Sequence, residues 1–369
     1  MIRDIDTDAA AAHEMFQSYG GMEGLPEAPI AARGRLDARA FARSVYPGLL
    51  AALTVGLAAD WLAGHYKAPV MLFALLFGMA FHFLHEEGRC VAGIEFASKA
   101  VLRTGVALLG ARITAQQIAE LGPVPIGMVA LGVSSTLLVG LALTRLLGLS
   151  RAFGALSGGS VGVCGASAAL AIASVLPKTK ESERDVILAV VVVTGLSTLA
   201  MIFYPMLVVA IGLDRQRAGL FLGGTIHDVA QVVGAGYMIS QQTGDIATYV
   251  KLLRVAMLLP VVGAIAVTVA RAGGQGAGGG GGKVRVPIPT FLFAFAALVA
   301  LNSLGFMPKP VVTAAGDVSR WCLVVAIAAL GMKTSFKSLV EAGWRPVAVM
   351  ALETLWLAGL VLTVVETLT

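Results

Sequence analysis

Charge is scarce in this chain. Only 13% of its 369 residues are Asp, Glu, Lys or Arg, against about a quarter in soluble domains, and that shortage excludes an ordinary water-facing globular surface. Cysteine is scarcer still. Cys90, Cys164 and Cys322 are odd in number and far apart, which excludes both a disulfide framework and a paired-cysteine metal or redox site. Five histidines without a His-Glu-x-x-His run give no recognisable metal set. Acid is outnumbered by base, 22 residues to 27. The surplus lies mostly in loops, where it reports orientation in a membrane and not affinity for nucleic acid.

What the chain does have is apolar length and glycine: 57% hydrophobic residues and 44 glycines. Runs of about 20 apolar residues, enough to cross a ~30 Å hydrocarbon layer, recur from Ser44 onward. The expected segments are Ser44–Ala63, Ala68–His85, Val91–Ile113, Leu121–Leu147, Arg151–Leu176, Asp185–Gly212, Arg217–Ser240, Ala247–Ala270, Ile288–Leu304, Gly316–Met332 and Trp344–Val365. The fold class is therefore an all-α polytopic membrane protein with about ten or eleven transmembrane segments. Residues 1–43 read as a polar cytoplasmic tail with no signal-peptide pattern, and residues 44–369 as the transmembrane domain. Arg33, Arg35, Arg39 and Arg43 precede the first segment and place the N-terminus on the cytoplasmic side. The run RAGGQGAGGGGGKVR at 271–285 reads as a flexible cytoplasmic linker; with no preceding strand and no following Gly-Lys-Ser/Thr it is not a phosphate loop.

A shift of 221 positions lays ALLGARITAQQIAELGPVP over AALGMKTSFKSLVEAGWRP. Gly110, Glu120, Gly122 and Pro125 fall on Gly331, Glu341, Gly343 and Pro346; Arg112 falls on Lys333, and Lys99 on Arg320. An odd number of expected crossings separates the copies, so they run in opposite senses. Inverted repeats of this kind mark secondary transporters.

Two stretches carry polar groups where only apolar ones are expected. ALSGGSVGVCGASAALAIASVLP (Ala155–Pro177) sets Gly158, Gly159, Gly162 and Gly165 among Ser157, Ser160, Cys164 and Ser167. Each glycine weakens a helix by about 1 kcal/mol relative to alanine, which invites an unwound break. A half-helix beginning there would aim free N–H groups and its positive dipole end at an anion. Close packing of helices through small residues explains the same glycines equally well. LGGTIHDVAQVVGAG (Leu222–Gly236) adds Gly223, Gly224, Thr225, His227, Asp228 and Gln231. An ionised Asp228 facing lipid would cost at least ~2.5 kcal/mol, so it is expected to face a cavity, with His227 and Asp228 as the ion-coupling pair for a proton or sodium ion. A buried polar cluster that merely fixes helix packing is the alternative. Glu95, Lys99 and Arg103, spaced by four, share a helical face. Together with Arg320, Lys99 and Arg103 are candidates for an anion path, unless they only snorkel toward headgroups.

GVCGASAALA (Gly162–Ala171), GGTIHDVAQVVGAG (Gly223–Gly236) and LRTGVALLGARIT (Leu102–Thr114) resemble signature stretches of the YeiH-type family of bacterial inner-membrane proteins, described as sulfate exporters. The resemblance covers the chain from about Tyr46 onward. It implies relatedness to cation/proton antiporters and anion transporters of the bile-acid symporter type. With that come two discontinuous helices crossing near the membrane centre, here Gly158–Ser167 and Gly223–Gln231, and a homodimer. Some members of the family are linked to export of sulfite formed from sulfonates.

The expectation is a non-enzymatic secondary transporter for a small anion, sulfate or sulfite above all. The substrate site would be built from Gly158, Gly159, Ser160, Gly162, Cys164, Gly165, Ser167, Gly223, Gly224, Thr225 and Gln231, with no metal and no cofactor beyond the coupling ion. A cation/proton antiporter, a channel, and an intramembrane enzyme using Ser160 or Ser167 with His227 as base are the rivals.

Overall fold

The computed structural model describes residues 38–66, 68–86, 88–177, 179–271, 290–334 and 343–368. Arg33 and Arg35 of the tail, the linker beyond Arg271 and Glu341 of the second repeat lie outside the described residues. Among those described, every regular element is a helix. In chain order they are α1 (Ala38–Tyr66), α2 (Val70–Ala80), α3 (Phe83–Glu86), α4 (Val91–Phe96), a π turn (Ala97–Val101), α5 (Leu102–Leu109), α6 (Ala115–Glu120), α7 (Val124–Leu146) and α8 (Arg151–Gly162). There follow α9 (Ala166–Ala173), α10 (Lys180–Ala210), α11 (Arg215–Thr225), α12 (Val229–Ile239), α13 (Gln241–Ala256), α14 (Leu258–Arg271), α15 (Thr290–Ser303), α16 (Lys309–Lys333) and α17 (Trp344–Leu368).

Side-chain caps fix where several helices begin. Ser150 accepts from the Phe153 N–H at 2.9 Å, Thr179 and Ser182 form a reciprocal capping box, and Asp214 accepts from Gln216 and Arg217, each at 2.9 Å. Each satisfies N–H groups that a helix start leaves open. Every expected apolar segment overlaps helix. Six helical runs are long and apolar enough to cross a membrane by length and composition: Phe41–Tyr66, Val124–Leu146, Glu181–Ala210, Gln241–Arg271, Lys309–Lys333 and Trp344–Leu368. The other expected segments are made of shorter pieces. Arg151–Leu176 and Arg217–Ser240 are each split in two, and Val91–Ile113 contains the π turn.

The helices pack as two groups. In one, α16 lies against α1, α2 and α5, α1 against α2 and α4, and α15 against α5. In the other, α7 and α10 flank α8, α13 packs on α11 and α12, and α17 crosses α7, α8, α10 and α11. Backbones approach closely where glycines face each other. A Cβ on Gly78 or Gly331 would overlap the backbone of the opposite helix, and the same holds for Gly48 and Gly93. Small residues at such crossings are what packing within lipid selects. At Gly359, by contrast, nothing lies within 4 Å of an added Cβ.

The two substitutions should therefore differ in sign. Gly331→Ala is expected to destabilise by about 1–3 kcal/mol through overpacking, while Gly359→Ala, in open space within α17, gains up to ~1 kcal/mol of helix propensity. Thermal unfolding of the purified proteins in one detergent reads both shifts.

Candidate functional site

The two interrupted helices meet. After Gly162 the chain leaves the helical path, and Gly165 has a φ of +67°, a left-handed conformation that suits glycine. A Cβ at Gly165 would also overlap the Asp228 carboxylate. In the second break, Ile226 (ψ 140°) and Asp228 (φ −93°, ψ 144°) are extended. Consecutive side chains of an extended segment point to opposite sides, and here His227 and Asp228 part. The His227 ring turns to α17, its Nε2 3.0 Å from Thr354 Oγ1, whereas the Asp228 carboxylate lies against Gly165, just before the start of α9. Ser197 of α10 accepts from the Asp228 N–H at 3.0 Å.

The carbonyl ends of the first halves are held by two fully buried cations of α13, Lys251 and Arg254. Lys251 Nζ donates to Val163 O (2.7 Å) and Ile226 O (3.2 Å). The Arg254 guanidinium donates to Val161 O (2.6 Å), Gly162 O (2.9 Å), Gly224 O (2.9 Å), Ile226 O (3.0 Å) and Gly223 O (3.4 Å). These carbonyls close α8 and α11, the negative ends of their dipoles. The sequence reading passed over both residues, although two basic groups three apart in an apolar run, at ~2.5 kcal/mol or more each if exposed to lipid, were the available signal.

The starts of α9 and α12 open into a cavity of 180 Å³. Cys164, Ala166, Ser167, Asp228, Val229 and Ala230 form its wall on the broken-helix side; Lys99, Arg103 and Lys333 line it from the other helical group. Glu95 pairs with Lys99, with Lys333 at 2.7 Å and with His85 at 3.0 Å. Lys333, matched to Arg112 by the internal repeat, is the cavity cation that the sequence reading did not assign a role.

The remaining expected residues sit elsewhere. Ser160 donates to Leu156 O and Thr225 to Phe221 O (2.6 Å) within their own helices. Gln231 is bound to Ser197 (2.5 Å) and Thr198 (2.9 Å). Gly158 faces Leu137 and Thr136 of α7, Gly159 faces Ile172, Gly223 faces Ala247 and Val250, and Gly224 faces Met128 and Val361. Arg320 is exposed and pairs with Asp60 at 2.7 Å, and it is not among the cavity-lining residues. No hydrogen bond joins His227 to Ser160 or Ser167 among the described residues.

This is a helical membrane protein whose polar centre is the meeting of two broken helices. The family model described as Conserved hypothetical protein 698 matches residues 47–350, and the chain belongs to that family, the one its signature stretches resemble. It is similar to the UPF0324 membrane protein CT0845 of Chlorobaculum tepidum, 57% identical over 318 residues covering 86% of this chain and 88% of the relative. It is also similar to the UPF0324 membrane protein TauZ of Paracoccus pantotrophus, 50% identical over 324 residues covering 88% and 95%.

Arg254→Ala removes five hydrogen bonds and leaves four backbone carbonyls without their side-chain donor, Ile226 O keeping Lys251, and is expected to lower stability by at least ~3 kcal/mol. Arg254→Lys, lacking the planar fork, should fall between it and the wild type. Thermal unfolding in detergent ranks the three; equal midpoints would refute the assignment.

Proposed function

We propose that the chain is a secondary active transporter of a small oxyanion, of the sulfate or sulfite class, coupled to a proton. The observation that carries this is the cavity between the two helical groups, into which two helix starts and three basic side chains converge. Its 180 Å³ falls below the ~300–1,000 Å³ of pockets for drug-sized ligands, which suits a compact inorganic ion. N–H groups at the start of α9 and α12, with the Ser167 hydroxyl, are donors for oxyanion oxygens. Lys99, Arg103 and Lys333 supply positive charge opposite them.

Asp228 gives the coupling. Its carboxylate lies against Gly165 at the start of α9, so an oxyanion approaching that place meets a like charge. A proton on Asp228 removes the charge and opens the start of α9 to substrate. Anion and proton therefore bind together. Because the cavity walls come from different helical groups, rocking of one group against the other would open it alternately to each side.

Inverted repeats are part of this reading. Trp356 Nε1 donates to Ser135 Oγ at 3.2 Å, a pair separated by 221 positions, the same offset as the sequence repeat. Contact between equivalent positions is what a local two-fold axis through α7 and α17 produces. The same reading puts the protein in the bacterial inner membrane as a multi-pass homodimer with its N-terminus in the cytoplasm.

Uptake of radiolabelled sulfate and sulfite into proteoliposomes, with and without a pH gradient, tests the proposal. Wild type should give saturable flux whose KM falls as pH falls, because acid neutralises Asp228. Asp228→Asn should lose that pH dependence, and Lys333→Ala should raise KM about tenfold through loss of a charge-assisted contact. Absence of oxyanion flux in every gradient, with sodium or lithium exchange in its place, would overturn the reading in favour of a cation/proton antiporter.

A further inference from the structure

Away from the cavity, α17 offers consecutive residues to the two broken helices. Thr354 meets His227 of the second break, and Glu353 Oε1 accepts from Ser157 of α8 at 2.7 Å. Glu353 is fully buried and is not among the cavity-lining residues. Its other oxygen, Oε2, has no hydrogen-bond partner, and neither does the buried Thr136 hydroxyl of α7. Thr136 stands one helical turn from Gly140, where an added Cβ would overlap Glu353 Oε1, so both unpartnered oxygens belong to the α7–α8–α17 contact.

Among the described residues, no counter-charge pairs with Glu353. The charged residues on the helices packed against α17, among them Arg145, Arg151, Arg184, Asp185, Arg215 and Arg217, lie in terminal turns, whereas Glu353 is mid-helix. His227 is the titratable group facing this side from the second break, and behind it Lys251 and Arg254 are spent on the helix-end carbonyls. An ionised carboxylate here would have one hydrogen bond and no cation, an arrangement that a dry interior strongly disfavours. As a carboxylic acid it gains an O–H donor for which the neighbouring Thr136 oxygen is an available acceptor.

We propose that Glu353 is a second proton-binding site of the transport cycle, on the face of the broken-helix crossing opposite Asp228. The inference rests on the transporter reading above. The ligand is a single proton: it adds to Oε2 as an O–H bond and returns to water when a local shift of α8 within its own helical group, distinct from the rocking of the two groups, opens this contact with α17. Two protons per cycle then straddle the crossing, one at the substrate and one at the hinge between α8 and α17.

Two measurements on full-length protein test it. Infrared difference spectra of wild type minus Glu353→Gln should contain the carbonyl stretch of a protonated carboxyl, shifted in D₂O. In proteoliposomes loaded with a pH-sensitive dye, Glu353→Gln should carry one proton fewer per oxyanion and lose at least tenfold in pH-driven accumulation. Its thermal unfolding midpoint in detergent should stay within a few degrees of wild type, which shows that the variant folds. Glu353→Asp should restore part of the accumulation. A missing band, or accumulation by Glu353→Gln equal to wild type, overturns the proposal. If wild type moves no oxyanion, the transporter reading falls, while the band still decides whether Glu353 holds an exchangeable proton.

Discussion

Seven hydrogen bonds from the side chains of Lys251 and Arg254 hold the centre of this molecule together. A helix interrupted in apolar surroundings leaves carbonyls without partners, each unsatisfied group costing several kcal/mol. Here two breaks share one pair of cations. That sharing dictates geometry as well as energy: the ends of α8 and α11 must lie within reach of a single guanidinium, so the breaks come side by side. The second halves, α9 and α12, then start together on the other side of the pair. The N–H groups that line the cavity are thus placed by cations that the cavity does not contain.

The same arrangement sorts the polar residues that stood out in the sequence. Glycine, histidine and aspartate in an apolar run signal a departure from plain helix, and the departures occur where those residues cluster. What the linear pattern does not carry is direction. His227 and Asp228 are neighbours in an extended segment and so serve opposite faces, and Gln231, one turn on, is occupied by α10. The glycines divide likewise between both readings open to the sequence. Gly165 permits a left-handed turn against Asp228, while Gly158 and Gly162 let α8 approach α7.

Lys251 and Arg254 show in the sequence as cations in an apolar run, but their role was hidden for another reason. Their partners on α8 are 88 to 93 residues away and are backbone atoms, which no side-chain motif encodes. Lys333 escaped similarly. Its meaning comes from Glu95, reached across the packing of α16 on the first helices, and the repeat offered only its likeness to Arg112. The apolar pattern was readable because burial acts on every residue of a helix. A site built from backbone ends and long-range ion pairs depends on tertiary geometry alone.

Charge weighs the proposed oxyanion against a cation at this site. A sodium ion in the cavity would find the Asp228 carboxylate and a few hydroxyls, those of Ser98, Ser167, Thr194 and Thr334, but also Lys99, Arg103 and Lys333 in the same wall. Positive charges a few ångströms apart in a partly dry space repel by several kcal/mol even at an effective dielectric constant of ~20. Glu95 offsets part of that field, yet it does so by occupying Lys99 and Lys333 from behind, which also leaves them poised to exchange a protein carboxylate for a substrate oxygen. An oxyanion meets attraction from these side chains and from both helix starts, and repulsion chiefly from Asp228, since Glu95 stands behind its paired lysines. One proton on Asp228 removes that repulsion, whereas no single proton makes the cavity hospitable to a metal cation.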